Sequence, residues 1–265
     1  MTATIEVRGV SKEFGDLRGN RDDVVQAIAR ADLTVGRGEF ISLLGPSGCG
    51  KSTLLDIIGG LEVATSGEVI VEGEPMHGPS PRMAIVFQQM SLFPWRTAID
   101  NVGFGLELRG VDASTRHRIA REMIELVGLA GFERKYPSQL SGGMCQRVAI
   151  VRALALNPSI LLMDEPFGAL DEQTRRLMGL ELLRIWDRAR KTIVFVTHSI
   201  EEAIQLSDRI LLMSARPSVI REEIPVALPR PRGIECLSSD VAKNIERRIW
   251  AALLEEVGSG AIHET

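Results

Sequence analysis

The chain has 265 residues, 45% of them apolar, so it can bury a large core, and its net charge of −4 disfavours a protein that binds nucleic acid by neutralising phosphates. Its three cysteines, Cys49, Cys145 and Cys236, lack paired spacing, which argues against a disulfide framework or a zinc site and favours a reducing compartment. No apolar run approaches the roughly 18 to 20 residues of a membrane span, so we expect a soluble chain.

Two segments near the N-terminus alternate apolar and polar residues, as half-buried strands do. They span residues 5–14 and 24–35, and the second leads into a turn at Gly36 and Gly38. The pattern predicts an antiparallel β element at the start of the chain.

A glycine-rich loop, GPSGCGKST at residues 45–53, joins a predicted strand (39–45) to a predicted helix (51–61). It satisfies G-x-x-x-x-G-K-[ST], in which the glycines let the backbone N–H groups point inward and the helix adds the positive end of its dipole. Such a loop fits a phosphate chain. Lys51 is expected to reach the outer phosphates, and the Ser52 hydroxyl to ligate a magnesium ion.

Buried strands alternate with helical patterns in the rest of the chain, which indicates a mostly parallel α/β sheet. Residues from about 90 to 157 contain no good strand and are interpreted as a helical insertion. Residues 227–233 resemble an extended linker into a last amphipathic helix. The further strands are predicted over residues 67–73, 83–87, 159–164, 192–198 and 209–214.

The last helix has an apolar stripe at steps of four, and Ser239 is placed to cap it. We expect the stripe to pack on the chain's own domain, in preference to a regulatory or dimer-stabilising contact. The stripe consists of Val241, Ile245, Ile249, Leu253 and Val257.

Two acidic residues, Asp164 and Glu165, directly follow an apolar strand. One carboxylate can lie near the magnesium ion while the next polarises a water molecule. The alternative is a solvated acidic turn, which the adjoining apolar run makes the weaker interpretation. His198 follows another apolar strand, where a ring nitrogen could contact a terminal phosphate.

The segment LSGGMCQR (140–147) opens a helix with Ser141 near its N-cap and two exposed glycines, which makes a second anion-binding helix terminus. With this segment the sequence resembles the ATP-binding subunits of ABC transporters over about residues 5–225. The motifs that carry the resemblance are Walker A GPSGCGKS, glutamine loop VFQQ, signature LSGGMCQR, Walker B ILLMDE, GALD and the switch histidine.

The resemblance implies a P-loop NTPase fold of the ABC ATPase type, with a mostly parallel core sheet, an antiparallel β subdomain and a helical subdomain insertion. It implies an ATP sandwich between two copies, with Glu165 as catalytic base and His198 at the γ-phosphate. Gln88 is implied to sense the magnesium ion and the attacking water, and Asp164 to hold the ion beside Ser52. Phe14 is implied to stack on the adenine. Ser141, Gly142 and Gly143 are implied to contact the nucleotide of the opposite copy, and Asp171 to line the dimer interface. The implied contacts of the phosphate loop are Gly45, Pro46, Ser47, Gly48, Cys49, Gly50, Lys51, Ser52 and Thr53.

Two cysteines depart from the expected chemistry of these motifs, because Cys49 lies in the phosphate loop and Cys145 in the signature. We interpret both as small neutral residues, with thiol modification an inhibitory liability and not a redox switch.

Residues 1–232 are assigned to the ABC ATPase domain and 233–265 to a C-terminal helical tail. Three segments, 90–110, 164–171 and 215–232, resemble the ATPases of bacterial nitrate, sulfonate and taurine importers. That resemblance implies a transmembrane permease, an extracytoplasmic solute-binding protein as an indirect partner, and a place on the cytoplasmic face of the inner membrane.

Trp95 is expected to contact the permease, with core packing as the alternative. A soluble ABC ATPase of DNA repair or translation is the second interpretation of the whole chain, but such chains usually have coiled-coil insertions or two ATPase units. A P-loop kinase leaves the signature and Glu165 unexplained. The transported solute stays open among sulfonates, taurine, nitrate and pyrimidine-like precursors.

Overall fold

The computed structural model describes residues 3–15 and 24–260, apart from the side chains of residues 188–189 and 257–260. They divide into two compact units, one of Met1–Ser80 with Ala189–Thr265 and one of Pro81–Arg188. The strands in chain order are β1 (Ala3–Phe14), β2 (Val25–Gly36), β3 (Phe40–Leu44), β4 (Ser66–Val71), β5 (Glu74–Pro75), β6 (Met83–Val86), β7 (Ile160–Asp164), β8 (Thr192–Val196), β9 (Arg209–Met213) and β10 (Ser218–Pro225). The helices are α1 (Lys51–Ile58), α2 (Ala98–Leu108), α3 (Ala113–Leu126), α4 (Gly142–Ala155), α5 (Glu172–Ala189), α6 (Ile200–Leu206) and α7 (Asp240–Gly260).

The first unit has a mixed sheet in the order β5-β4-β1-β2-β10-β9-β3-β8. β1 pairs antiparallel with β2 and with β4, which confirms the antiparallel element predicted at the N-terminus. β3 lies between β8 and β9 and is parallel to both. Every residue of β3 and β8 is buried, as expected of parallel strands covered on both faces. The carboxyl ends of these three strands therefore lie at one edge of the sheet.

The predicted strands and the helix after the glycine-rich loop are all present, but β10 was not predicted. Its sequence, SVIREEIP, has only two fully buried positions, Ser218 and Ile224, and three consecutive charged residues between them. It joins the sheet through antiparallel pairing with β9 and a short parallel contact with β2. Backbone pairing therefore places this strand in the sheet, although its side chains show no clear alternation of apolar and polar residues.

Residues 227–233 contain no helix or strand and connect β10 to the C-terminal helical segment, as predicted for an extended linker, but the segment packs on the domain, which was not predicted. Val226 and Leu228 are buried in an apolar cluster with residues of α6, β9 and β10. Arg232 is 5% exposed. Its Nη1 donates to three backbone carbonyls at the end of α6, the nearest being Ser207 O at 2.6 Å, and its Nη2 donates to Val226 O and Leu228 O. The guanidinium thus satisfies carbonyls that the end of a helix leaves without intrahelical partners.

The stripe on α7 faces the same apolar cluster at Ile245 and Ile249, and Leu253 is partly buried against it. Ser239 accepts a hydrogen bond from Ala242 N–H at 3.2 Å, as predicted for a helix cap. Val241 is exposed, so the stripe prediction is wrong at that position, because the first turn of the helix buries Ala242 in the cluster instead. The Val257 side chain lies outside the described residues.

In the second unit, β6 and β7 are parallel neighbours, and residues 90–157 contain helices α2, α3 and α4 without a strand. Asn101 of α2 is fully buried and organises the segment that precedes the helix. Its Nδ2 donates to Phe93 O, Arg96 O and Thr97 O, and its Oδ1 accepts from Phe93 N–H. This amide therefore fixes the loop that carries Trp95.

Within residues 3–15 and 24–260, no helix combines the length and the apolar character that crossing a bilayer requires.

We predict that Arg232→Ala lowers the free energy of unfolding by about 2–4 kcal/mol, because a buried guanidinium that donates to five backbone carbonyls is lost. Denaturant unfolding followed by circular dichroism measures the change. Arg247→Ala, at an exposed arginine of α7, is the matched control and should stay within about 0.5 kcal/mol of the parent. Equal destabilisation by the two variants would show that Arg232 has no special part in holding residues 226–233.

Candidate functional site

The glycine-rich loop leaves the end of β3 and enters α1, as the sequence predicts. Gly48 and Gly50 have φ values of +73° and +103°, a region that side chains disfavour. Gly50 is also the N-cap residue of α1. Positive φ values next to a helix N-terminus turn successive N–H groups toward one concavity, which is the geometry of an anion-binding nest.

Gly45 is required by packing. A Cβ at this position would lie 2.7 Å from Met213 O at the end of β9 and 3.1 Å from Cys49 Sγ. The backbone oxygen cannot move away without breaking the sheet. The first glycine of the loop therefore permits the loop to lie directly against β9.

Lys51 is 6% exposed, and its ammonium group lies inside the loop. Nζ donates to Gly45 O at 2.9 Å and to Pro46 O at 2.8 Å. Cys49 Sγ is 3.8 Å from the same nitrogen, and burial raises the pKa of the Cys49 thiol despite this neighbouring charge. The thiol is neutral at physiological pH, in agreement with its interpretation as a small neutral residue.

His198 lies at the same sheet edge as the loop. It follows β8, whose last residue Val196 is opposite Leu43 of β3, and Thr197 N–H donates to Leu43 O at 3.3 Å. The imidazole is exposed. Within the first unit, the parallel pairing of β3 with β8 thus places the predicted phosphate loop and the predicted phosphate-contacting histidine side by side in the sheet.

In the second unit, Gln88 and Glu165 follow neighbouring parallel strands and meet. Gln88 follows β6, Glu165 follows β7, and Gln88 Nε2 donates to Glu165 Oε2 at 3.3 Å. Glu165 has a φ of +43°, a strained conformation for a residue with a side chain. Asp164 is the last residue of β7 and is half-buried beside it. Three residues predicted separately from two motifs therefore form one polar cluster.

The signature segment begins α4 as predicted. Ser141 is the N-cap, and its Oγ accepts from Met144 N–H at 3.3 Å. Gly142 is exposed, and a Cβ there would meet nothing within 4 Å. Cys145, one turn into the helix, is 7% exposed, and burial raises the pKa of its thiol. The helix terminus is accessible at its N-terminal glycine, while the cysteine faces inward.

Asp171 caps α5. Its carboxylate accepts from Thr174 N–H at 3.0 Å and from Thr174 Oγ1 at 2.7 Å, and the backbone hydrogen bond is the main reason that the Asp171 pKa is lowered. Asp171 therefore stabilises the N-terminus of α5, and this role does not depend on a dimer interface.

Phe14 lies at the end of β1, with its ring 42% exposed and the Lys12 ammonium 4.7 Å from the ring centroid. An exposed aromatic face can stack on a base. The polar segment after it, residues 16–23, lies outside the described residues.

Arg216 was not among the predicted site residues. It belongs to the turn between β9 and β10, and its Nε and Nη2 donate to Gly48 O at 3.2 and 2.7 Å. No local sequence pattern signals a contact across this distance along the chain. Only the β9–β10 pairing brings the turn to the loop.

Comparison with known proteins decides the family. Residues 28–168 match the family model described as ABC transporter. An uncharacterised ABC transporter ATP-binding protein of Methanocaldococcus jannaschii is 50% identical over 232 residues, which are 88% of this chain and 85% of the relative. The chain belongs to the ABC transporter ATP-binding family.

Two further comparisons agree with this membership of the ABC family. The aliphatic sulfonates import ATP-binding protein SsuB of Bacillus cereus is 45% identical over 229 residues, covering 86% of this chain and 88% of that protein. A solved dimeric ATP-binding cassette in a post-hydrolysis state, bound to ADP and Pi, superposes with a TM-score of 0.75 at 34% identity, covering 84% of this chain and 98% of that one. The chain is thus an ABC ATPase and the ATP-binding subunit of a transporter, and its fold is the ABC ATPase fold predicted from the sequence.

Proposed function

We propose that this chain hydrolyses ATP with the residues predicted from its motifs. The nest at Gly48 and Gly50, with the buried Lys51 ammonium inside the loop, supports binding of a phosphate chain by residues 45–53. Phe14 is proposed to stack on the adenine. His198, beside the loop in the sheet, is proposed to contact the γ-phosphate.

A magnesium ion fits the donor set. Ser52, Asp164 and Gln88 offer hydroxyl, carboxylate and amide oxygens, which are the hard ligands that magnesium prefers. We propose that these three residues hold the ion, directly or through water. When bound, the ion neutralises charge on the phosphates.

Glu165 is proposed as the general base, and its contact with Gln88 is the observation that carries this assignment. The hydrogen bond of 3.3 Å from Gln88 Nε2 holds the Glu165 carboxylate beside the residue proposed to sense the attacking water, and a carboxylate can accept the proton of that water. The left-handed backbone of Glu165 turns its side chain out of the alternation of β7. Strain of this kind persists where the surrounding structure holds a side chain in a functional direction.

We predict that Glu165→Gln reduces ATP turnover by at least about 100-fold while ATP affinity stays within about threefold, because an amide keeps the shape but cannot accept the proton. Phosphate release and equilibrium nucleotide binding are the two measurements. Glu122→Gln, at an exposed glutamate of α3, is the matched control and should leave both unchanged. Turnover near the parent value in the Glu165 variant would remove this residue as the base.

The chain is proposed to act as a homodimer in which Ser141, Gly142 and Gly143 of one copy contact the nucleotide of the other, with Asp171 near the interface. The support is the exposed N-terminus of α4, together with the dimeric state of the similar ATP-binding cassette.

We expect ATP and magnesium to convert Glu165→Gln from monomer to dimer, because slow hydrolysis preserves the nucleotide that joins the copies. Sedimentation velocity with and without ATP measures the change. Gly142→Asp, which puts a negative charge at the proposed phosphate contact, should abolish it in the same background. A chain that binds ATP yet stays monomeric would contradict the homodimer proposal.

We propose that the chain powers import of a small anionic or organic solute of the sulfonate, taurine or nitrate type through a separate permease. In this proposal the chain lies on the cytoplasmic face of the inner membrane, and a solute-binding protein lies outside the cytoplasm. The support for this proposal is the 45% identity to the aliphatic sulfonates import protein. Trp95 is proposed as a permease contact, because its side chain is 71% exposed on a loop that Asn101 fixes, with Phe93 packed 5.6 Å away.

Uptake of labelled taurine, an alkanesulfonate and nitrate by cells with and without this chain tests the import proposal. We expect loss of uptake of at least one anion on deletion, restoration by the parent chain and no restoration by Glu165→Gln. Co-purification with a membrane permease is expected as well. Uptake unaffected by deletion, with DNA or ribosomes as the recovered partners, would instead support a repair or translation ATPase.

A further inference from the structure

The three glycines of the glycine-rich loop, Gly45, Gly48 and Gly50, lie near the end of β9, the turn after it and the start of β10, respectively. Gly45 lies against Met213, as described above. Gly48 O accepts two hydrogen bonds from Arg216. A Cβ at Gly50 would lie 3.5 Å from Ser218 Oγ, and that hydroxyl is itself fixed by donating to Ala27 O at 3.1 Å. The glycine-rich loop thus packs against the β9–β10 hairpin, and its hydrogen bonds to the turn come from Arg216.

The Arg216 contact acts on a particular peptide plane. The carbonyl of Gly48 and the N–H of Cys49 belong to one planar unit and point in opposite directions. Arg216 holds the carbonyl, and Cys49 N–H donates to Pro46 O at 3.3 Å. The guanidinium therefore fixes the orientation of the middle of the loop from outside, and with it the left-handed conformation at Gly48.

The C-terminal helix holds the same turn. Glu256 of α7 accepts from Ala215 N–H at 2.9 Å with one carboxylate oxygen and from Arg221 Nη1 at 2.8 Å with the other. Its side chain is 18% exposed, whereas that of the neighbouring Glu255 is 67% exposed and contacts Arg221. Ala215 directly precedes Arg216. The hydrogen bond that Ala215 N–H donates to Glu256 therefore constrains the backbone from which the Arg216 side chain reaches the loop.

We propose that Arg216 is a positioning residue for the phosphate loop and that Glu256 positions Arg216, so that the C-terminal helix sets nucleotide affinity. The inference rests on the proposed binding of ATP by residues 45–53. It goes beyond packing of α7 on the domain, because Ile245 and Ile249 supply that packing at the other half of the helix.

The exposure of the Arg216–Gly48 hydrogen bonds sets the expected loss of nucleotide affinity. Arg216 and Gly48 are both exposed, and exposed hydrogen bonds contribute modestly. We expect Arg216→Ala to weaken binding of a fluorescent ATP analogue in the presence of magnesium by about three- to tenfold. Arg216→Lys should recover part of the loss, since an ammonium donates one of the two hydrogen bonds. Glu256→Ala should weaken binding about two- to fivefold, because Arg216 keeps its contact but loses its anchor.

Glu255→Ala is the matched control, since it removes a second partner of Arg221 from the same turn of α7 without touching Ala215. Its nucleotide affinity should equal that of the parent. Melting temperatures of all variants should agree within a few degrees, which separates positioning from loss of fold. In the double variant Arg216→Ala with Glu256→Ala, affinity should match Arg216→Ala alone, because Glu256 acts through Arg216.

Equal effects of the Glu255 and Glu256 variants, or additive losses in the double variant, would overturn the coupling through Arg216. Unchanged affinity in Arg216→Ala would overturn its part in the loop. Failure of the parent chain itself to bind the analogue would be a different result, since it contradicts the proposed nucleotide site before the turn is considered.

Discussion

Parallel pairing of β3 with strands on both its sides is the constraint on which the first unit depends. Leu43 of β3 is opposite Val196 of β8, and Leu44 is opposite Leu212 of β9. Because the three strands end at one edge, three loops leave the sheet together: the glycine-rich loop, the loop with His198 and the turn with Arg216. Because β3 is buried on both faces, a slip of one residue would exchange its side chains between two closely packed faces, so packing specifies the register and thereby the position of all three loops.

The sequence predicts those parts of the fold in which side chains alone decide the structure. Apolar runs such as β3 and β8 are readable because both faces are buried. The strand β10 could not be predicted in this way, since backbone pairing with β9 and β2 places it in the sheet although half of its side chains are polar. The packing of residues 227–233 was not predicted, for a related reason. The sequence predicts an extended linker there, but it does not show that Arg230 and Arg232 donate to carbonyls at the end of α6, a contact that depends on tertiary structure.

The same distinction holds for the site. Lys51, Asp164 and Glu165 stand in motifs whose spacing reports local chemistry, and Gln88 meets Glu165 because the strands before them are parallel neighbours. Arg216 belongs to no such motif. It donates to Gly48 O from a turn whose position depends on strand pairing in the sheet. Asp171 shows the converse, because a residue placed at an interface by resemblance also caps α5. Motifs predict what contacts a ligand better than what supports those contacts.

The C-terminal helix is attached by two kinds of contact, and they respond differently to conditions. Ile245 and Ile249 are buried in an apolar cluster that salt does not weaken. Glu255 and Glu256 reach Arg221 with side chains that are 67% and 18% exposed, and screening over a Debye length of about 8 Å at physiological ionic strength weakens the more exposed pair most. Rising salt therefore weakens the ion pairs at the C-terminal end of the helix, that of Glu255 first, before it affects the apolar contacts. One helix can in this way stay part of the domain while its hold on the phosphate loop varies.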